Sequence, residues 1–203
     1  MSYIFFGCLV GMFLLLPISN QSLEHKKLEK KYGKEKGEKI GAFLGRLSGW
    51  CFFILWIGLW ISPQPDIPVI FSQNRGNLSF LYFNTNIFSI IVSFPLIVIA
   101  CWIGIKGVGE ISLKTAETHK TDKIVTTGLY GLIRHPQYLS GLIAHLGISI
   151  LLSSLFSLIV FPLIIFLIYL MSKKEEIELT KEFGAEYKEY IRRVPMFLPY
   201  KKG

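Results

Sequence analysis

Five apolar runs divide the chain, and the polar stretches between them differ sharply in length and charge. Run one, Tyr3–Ile18, has no charged residue and lies close to the lower limit of roughly 17 residues for a membrane span; Pro17 and Asn20 are expected to end it. Gln21–Lys39 follows, rich in Lys with interspersed Glu. Glu24, Lys27, Leu28 and Lys31 fall at helical spacing there, which predicts a solvated helix and then a turn at Gly33 and Gly37. Run two, Ile40–Ile61, is a full-length span whose single charge is Arg46. Pro63, Pro65 and Pro68 break it, and Ser62–Thr85 reads as an irregular external loop with a turn at Asn74–Asn77. Run three, Asn86–Ile105, is a third span with Pro95 inside it. Lys106–Ile133 is a polar connector without sustained periodicity. Runs four and five, Tyr138–Leu152 and Leu155–Met171, are separated only by Ser153 and Ser154, which predicts a tight antiparallel helical hairpin. A polar tail begins at Ser172, with Gly184 as a helix stop.

This pattern predicts an all-α, polytopic membrane protein of about five transmembrane helices, with residues 1–203 forming one domain. Residues 1–105 hold three spans; residues 106–203 hold the connector, the hairpin and the tail. Composition agrees: aliphatic, aromatic and cysteine residues make up 51% of the 203 residues and charged residues only 18%, against about 25% charged in an average soluble domain. The net charge of +8 would suit nucleic acid on a soluble protein, but here the basic residues border apolar runs and point to membrane topology instead. Of all Lys and Arg, only Arg75 lies on the side that holds the Ser62–Thr85 loop and the N-terminus. That asymmetry puts the N-terminus outside and the C-terminal tail in the cytoplasm. The N-terminal run lacks a basic leader and an Ala-x-Ala-like cleavage site, which disfavours a removed signal peptide. Cys8, Cys51 and Cys101 each sit inside an apolar run and have no metal-ligand spacing, so no metal is expected.

The densest chemical constellation is Thr127–Tyr138, which brings glycines, Tyr130, Arg134, His135 and Pro136 to a membrane boundary. Pro136 suits the first turn of a helix, and the free N–H groups of that turn with Arg134 beside them favour an anion. An interfacial anchor explains the same residues equally well. Tyr138, Gly141, His145 and Ser149 form a small or polar stripe along run four that faces protein rather than lipid. His145 stands out, because ionisable residues at membrane depth are often functional, although helix packing accounts for the stripe too. Glu175 and Glu176 lie just past run five; adjacent residues on a helix diverge by about 100°, so at most one can face a site. A solvated helix face paired with neighbouring lysines is the competing reading of that pair.

The order Gly128-Leu129-Tyr130, Arg134-His135-Pro136-Gln137-Tyr138, an apolar hairpin, Glu175-Glu176, then Phe183-Gly184-Ala185-Glu186-Tyr187-Lys188-Glu189-Tyr190 resembles the isoprenylcysteine carboxyl methyltransferase family. Related membrane phospholipid and thiol methyltransferases share much of the pattern. Arg193-Val194-Pro195 and Leu198-Pro199-Tyr200 extend the likeness, which covers about residues 120–203. The resemblance implies S-adenosylmethionine as cofactor, with Lys123, Ile124, Val125, Tyr130, His135, Pro136, Gln137, Tyr138 and Glu175 around it. It implies Arg134 near the transferred methyl, orienting an anionic acceptor, and Phe183–Tyr190 closing the cytoplasmic face. On the acceptor side it points to His145 and Met171. Family members that methylate a prenylcysteine carboxylate tend to carry an arginine where this chain has Met171, a poor partner for a carboxylate.

The implied reaction is in-line methyl transfer to a lipidic or small apolar acceptor reaching the site from the bilayer, the carboxylate of an isoprenylcysteine being one such acceptor. A carboxylate needs no general base; a thiol or amine does, and His145 or Tyr138 could supply it. Two other classes compete. A membrane reductase of the sterol type would share an Arg-His-Pro-like segment and use NADPH, but with more spans. A small transporter or lipid-binding scaffold would bind neither cofactor. Partners under the leading reading are the bilayer and the methyl acceptor, with no nucleic acid and no metal.

Overall fold

A computed structural model describes residues 3–68, 78–80, 83–118, 121 and 123–199. The fold is helical: α1 (Tyr3–Leu23), α2 (His25–Tyr32), α3 (Lys34–Ile61), α4 (Ile87–Ile111), α5 (Leu113–Thr118), α6 (Pro136–Leu151), α7 (Leu155–Ile159), α8 (Phe161–Phe183) and α9 (Ala185–Arg193), with a 3-10 turn at Gly128–Gly131. Among the described residues, α1, α3 and α4 are long and apolar enough to cross a membrane. Their outer faces keep large apolar side chains exposed, including Phe43, Phe53 and Ile54 on α3 and Ile91, Phe94, Val98 and Trp102 on α4. So large an apolar exposure is unfavourable in water and is satisfied by lipid.

Several element boundaries differ from the sequence expectation. Helix α1 runs through Pro17 to Leu23, its last turns held by buried Ser19 and Ser22, the second donating to the Ser19 carbonyl at 2.7 Å. Gly37 is no turn: it lies inside α3, where a Cβ would meet the α2 backbone at 2.6 Å. The bend falls at Gly33 alone, at φ 82°. The same small-residue face lets α5 close on α3, since a Cβ at Gly45 would lie 2.9 Å from the Glu117 carbonyl. Asn86 caps α4 by accepting from the Ser89 N–H at 2.8 Å, and α4 continues past Ile105 to Ile111. The segment between α3 and α4 is not wholly irregular: β1 (Leu78–Phe80) pairs antiparallel with β2 (Phe83–Thr85). The turn expected at Asn74–Asn77 and the final residues from Tyr200 lie outside the described residues.

The hairpin forms, but its second arm is broken. After α6 the chain turns through Leu152–Ser154, makes the short α7, and restarts as α8 at Phe161 with Pro162 in its first turn. Pro162 has no N–H to extend a helix arriving from α7, and it suits the start of a new one. The hairpin tip meets the loop that leaves α3: Ile67 N–H donates to the Ser153 carbonyl at 3.0 Å and Leu155 N–H to Pro65 at 3.1 Å. At 16 residues α6 is about 24 Å long, yet its far end therefore reaches the level where α3 exits. The first half of α8 exposes Leu163, Ile165, Phe166 and Leu170 as the longer spans do.

Helix α6 is central; none of its residues is exposed. One side packs on α4, where the Ser140 hydroxyl donates to the Ala100 carbonyl at 2.8 Å. The other receives the Trp56 ring over Gly141. His145 bolts the two halves together. Its Nδ1 accepts from the Trp56 and Trp60 indoles at 2.8 and 3.2 Å, and its Nε2–H donates to the Ser157 carbonyl at 3.0 Å. Phe161 stacks on the ring at 5.6 Å. Both ring nitrogens are used, so the imidazole is neutral with its proton on Nε2.

Candidate active site at the polar end of the bundle

The site is assembled where α4, α6 and α8 end together. Past Ile111 the chain breaks at Ser112 (φ 78°), forms α5, and returns through Lys123–Val125 to the 3-10 turn. Gly128 opens that turn at φ 60°, and the Glu110 carboxylate approaches so closely that a Cβ would lie 2.2 Å from it. The same carboxylate accepts the Leu129 N–H at 2.9 Å. Conformation and crowding both demand glycine there.

Beyond the turn, Arg134 is buried and tied down at every nitrogen. Its Nε and Nη2 donate to Glu176 Oε1 at 2.7 and 2.6 Å, while Nη1 donates to the Ile191 carbonyl at 3.2 Å and to the Val194 carbonyl. Those carbonyls belong to the last turn and C-cap of α9, a place where a cation is favoured. The backbone reinforces the link, with Arg134 N–H donating to Pro195 at 2.9 Å and His135 N–H to Met196 at 3.2 Å. The Tyr190 hydroxyl donates to the Tyr130 carbonyl at 2.7 Å. Glu176 also lies 3.4 Å from His135 Nε2 and 3.4 Å from Lys173 Nζ. Burial works to raise the Glu176 carboxyl, but the hydrogen bonds from His135 and Arg134 and the arginine's charge outweigh it and bring it down to about 2.

Above this network lies a cleft enclosing about 830 Å³, part of it open to solvent. Lys123, Ile124, Val125, Tyr130, Arg134, His135, Gln137, Tyr138 and Glu175 all line it. Pro136 does not, and is buried behind them as the first residue of α6. The two glutamates diverge: Glu175 faces the cleft, 3.8 Å from His135 Nδ1, while Glu176 turns into the arginine. Tyr187 and Tyr190 of α9 close one wall. Burial, helped by the nearby Glu175 charge, pushes the Tyr130 and Tyr187 phenols well above their ordinary value; burial raises Tyr190 as well, so all three stay protonated. Gln137 Nε2 donates to the Tyr130 hydroxyl at 3.3 Å, and His135 stacks on Tyr138 at 5.5 Å.

A second cavity of about 880 Å³ lies among α1, α3, α5, α6 and α8 and shares Ala116, Gln137 and Tyr138 with the cleft. Met171 lines it. His145 lines neither space; it is the packing bolt described above. Sequence reasoning missed Glu110, Ile111, Thr115, Ala116 and Thr121, because the overrun of α4 and the kink to α5 left no periodic signal. It had signals for Leu179, one turn after Glu175, and for Tyr187 and Tyr190, spaced three apart on one face of α9.

The profile of the phospholipid methyltransferase family matches residues 88–186. A mouse protein-S-isoprenylcysteine O-methyltransferase is 34% identical over 89 residues, covering 43% of this chain and 31% of that one. Protein-S-isoprenylcysteine O-methyltransferase B of Arabidopsis thaliana is 34% identical over 91 residues, covering 44% and 45%. A cobalt-zinc-cadmium resistance protein of Cupriavidus metallidurans is 35% identical over 80 residues, covering 39% and 37%. The chain thus spans less than half the length of these relatives. No solved structure gives a significant match. The likeness to the isoprenylcysteine methyltransferases read from the motifs therefore holds for part of the chain.

Breaking a buried ion pair from one side typically costs about 3–5 kcal/mol, so Glu176→Gln is expected to lower the thermal unfolding temperature in detergent clearly at pH 7. The carboxyl is held at about 2 against an ordinary 4.5, so its contribution is complete above pH 4.5 and fades as pH falls toward 2. The gap between wild type and variant should narrow over that acid range; a gap independent of pH would contradict the assignment.

Proposed function

We propose that this chain, which over residues 88–186 matches the phospholipid methyltransferase family and over part of its length is similar to isoprenylcysteine methyltransferases, transfers a methyl group from S-adenosylmethionine to a lipidic or small apolar acceptor. The observation that carries the reading is a cleft at the polar end of the bundle sharing Tyr138 and Gln137 with an uncharged cavity among the helices. A water-soluble donor and a bilayer-borne acceptor can meet only at such a junction. The donor set also suits the cofactor. Glu175 and the faces of Tyr130, Tyr138, Tyr187 and Tyr190 offer negative potential to a sulfonium and an ammonium, and Lys123 offers a partner to the carboxylate.

Bound there, the cofactor would supply an electrophilic methyl group. The residues then have positioning to do. Glu175 and Lys123 hold the donor's charged ends, and Tyr187 and Tyr190 keep water off one side. Tyr138 borders both the cleft that would hold the donor and the cavity that would hold the acceptor. Holding two reactants in line is worth up to roughly 7–11 kcal/mol in favourable cases. Arg134 acts through Glu176 and α9 as a positioning residue, because every nitrogen of its guanidinium is engaged by protein.

The hairpin tip at the level of the α3 exit and the apolar outer face of α8 support five crossings, with α6 and α7–α8 as the fourth and fifth. Charge asymmetry supports an external N-terminus and a cytoplasmic tail. Two measurements test the proposed function and topology. Calorimetric titration with S-adenosylhomocysteine should show saturable binding, weakened about ten- to hundred-fold by Glu175→Ala, the usual range for a charged hydrogen bond; a folded protein that does not bind would overturn the reading. For topology, in a background without the native cysteines, Asp66→Cys should react with an impermeant maleimide on intact cells and Glu189→Cys only after lysis, and the reverse result would invert the orientation.

A further inference from the structure

Among the described residues, no charged side chain lines the second cavity. Its lining, drawn from α1, α3, α5, α6 and α8, includes no Lys, Arg, His, Asp or Glu. Polar atoms come from Ser19, Ser48, Gln137 and Tyr138; the rest is apolar, with Phe52, Trp56 and Met171 among the larger groups. Among the described residues, the cations of the neighbouring site are committed elsewhere. Arg134 and Lys173 both pair with Glu176, and Lys123 lines the cofactor cleft but not this cavity. The acidic group at the junction is Glu175, which lines the cleft together with Tyr138.

This electrostatic setting sorts the nucleophiles that methyl transfer could use. A carboxylate, with a reference pKa near 4, enters ionised and finds no cation in the described lining of the cavity. An amine, near 10.4, enters as an ammonium and must lose both its hydration and its proton. A thiol enters neutral at pH 7, since even the cysteine thiol has a reference pKa near 8.5, and it gives up its proton only on reacting. Resting on the methyltransferase reading above, we propose that the acceptor is an apolar thiol seated in this uncharged cavity with its sulfur at Tyr138, and not a prenylcysteine carboxylate. The acceptor sulfur forms a bond to the methyl carbon as the donor's sulfur–methyl bond breaks, that bond's electron pair staying on the donor sulfur. The thiol proton leaves to water at the open mouth of the cleft. The products are a methyl thioether and S-adenosylhomocysteine.

The test uses the full chain in detergent and three probes: dodecanethiol, dodecylamine and N-acetyl-S-farnesylcysteine. Calorimetry without cofactor should show the thiol binding at least ten-fold more tightly than the other two. With S-adenosylmethionine added, mass spectrometry should find methylated product from the thiol alone. Met171→Arg places a cation in the cavity and should strengthen binding of the farnesylcysteine carboxylate ten-fold or more while thiol turnover falls. Wild-type protein that binds and methylates the carboxylate as well as the thiol would overturn the inference. So would protein that binds S-adenosylhomocysteine but neither binds nor methylates the thiol. Failure to bind S-adenosylhomocysteine would instead overturn the methyltransferase reading and take this inference with it. Should Met171→Arg not fold, the wild-type comparison decides by itself.

Discussion

Arg134 and Glu176 bring opposite full charges into a nearly closed part of the molecule, with side chains 6% and 5% exposed. Two ions removed from water are tolerated only when their mutual attraction is completed by further hydrogen bonds. Here the completion comes from the tail: the same guanidinium takes the Ile191 and Val194 carbonyls. One side chain therefore joins the start of α6, the polar half of α8 and the end of α9. The cleft exists because those three elements cannot separate without leaving a buried charge unpaired. Its walls are what they carry on their other faces: Tyr138 on α6, Glu175 and Leu179 on α8, Tyr187 and Tyr190 on α9.

The membrane part follows a complementary rule. Its only buried polar bolt is electrically neutral among the described residues of the α3–α6 contact, a histidine satisfied by two indoles and a carbonyl. Charge is kept to the polar end, apolar volume to the bilayer, and Tyr138 stands on the boundary between them. Reactants of opposite solubility can share such a site without either crossing the other's solvent.

Legibility in the sequence followed the kind of physics involved. Long apolar periodicity and charge asymmetry carried the spans, and the clustered motifs carried nine residues that converge on one cleft although they lie as far apart as Lys123 and Glu175. Boundaries were less readable. Lys106 did not end α4, because its ammonium lies over the Trp102 ring at 5.2 Å while the helix continues beneath it. Pro17 did not end α1, since packing around Ser19 and Ser22 outweighed one missing hydrogen bond. Pro162 was a readable signal for the break in the hairpin's second arm. The role of Arg134 was not readable: a cation near Pro136 suggested an anion site, and its partner Glu176 sits 42 residues further along the chain. His145 misled for the opposite reason, because its donors on α3 are 85 and 89 residues away.

The buried arginine holds the tail against the bundle and so forms the cleft. Hydrogen–deuterium exchange of the Arg134→Lys protein in detergent tests it most directly, since lysine keeps the charge but cannot bridge Glu176 and two carbonyls at once. Exchange should be faster across Ala185–Arg193, with α3 and the membrane half of α6 unchanged. Unchanged protection of α9 in a folded variant would contradict it.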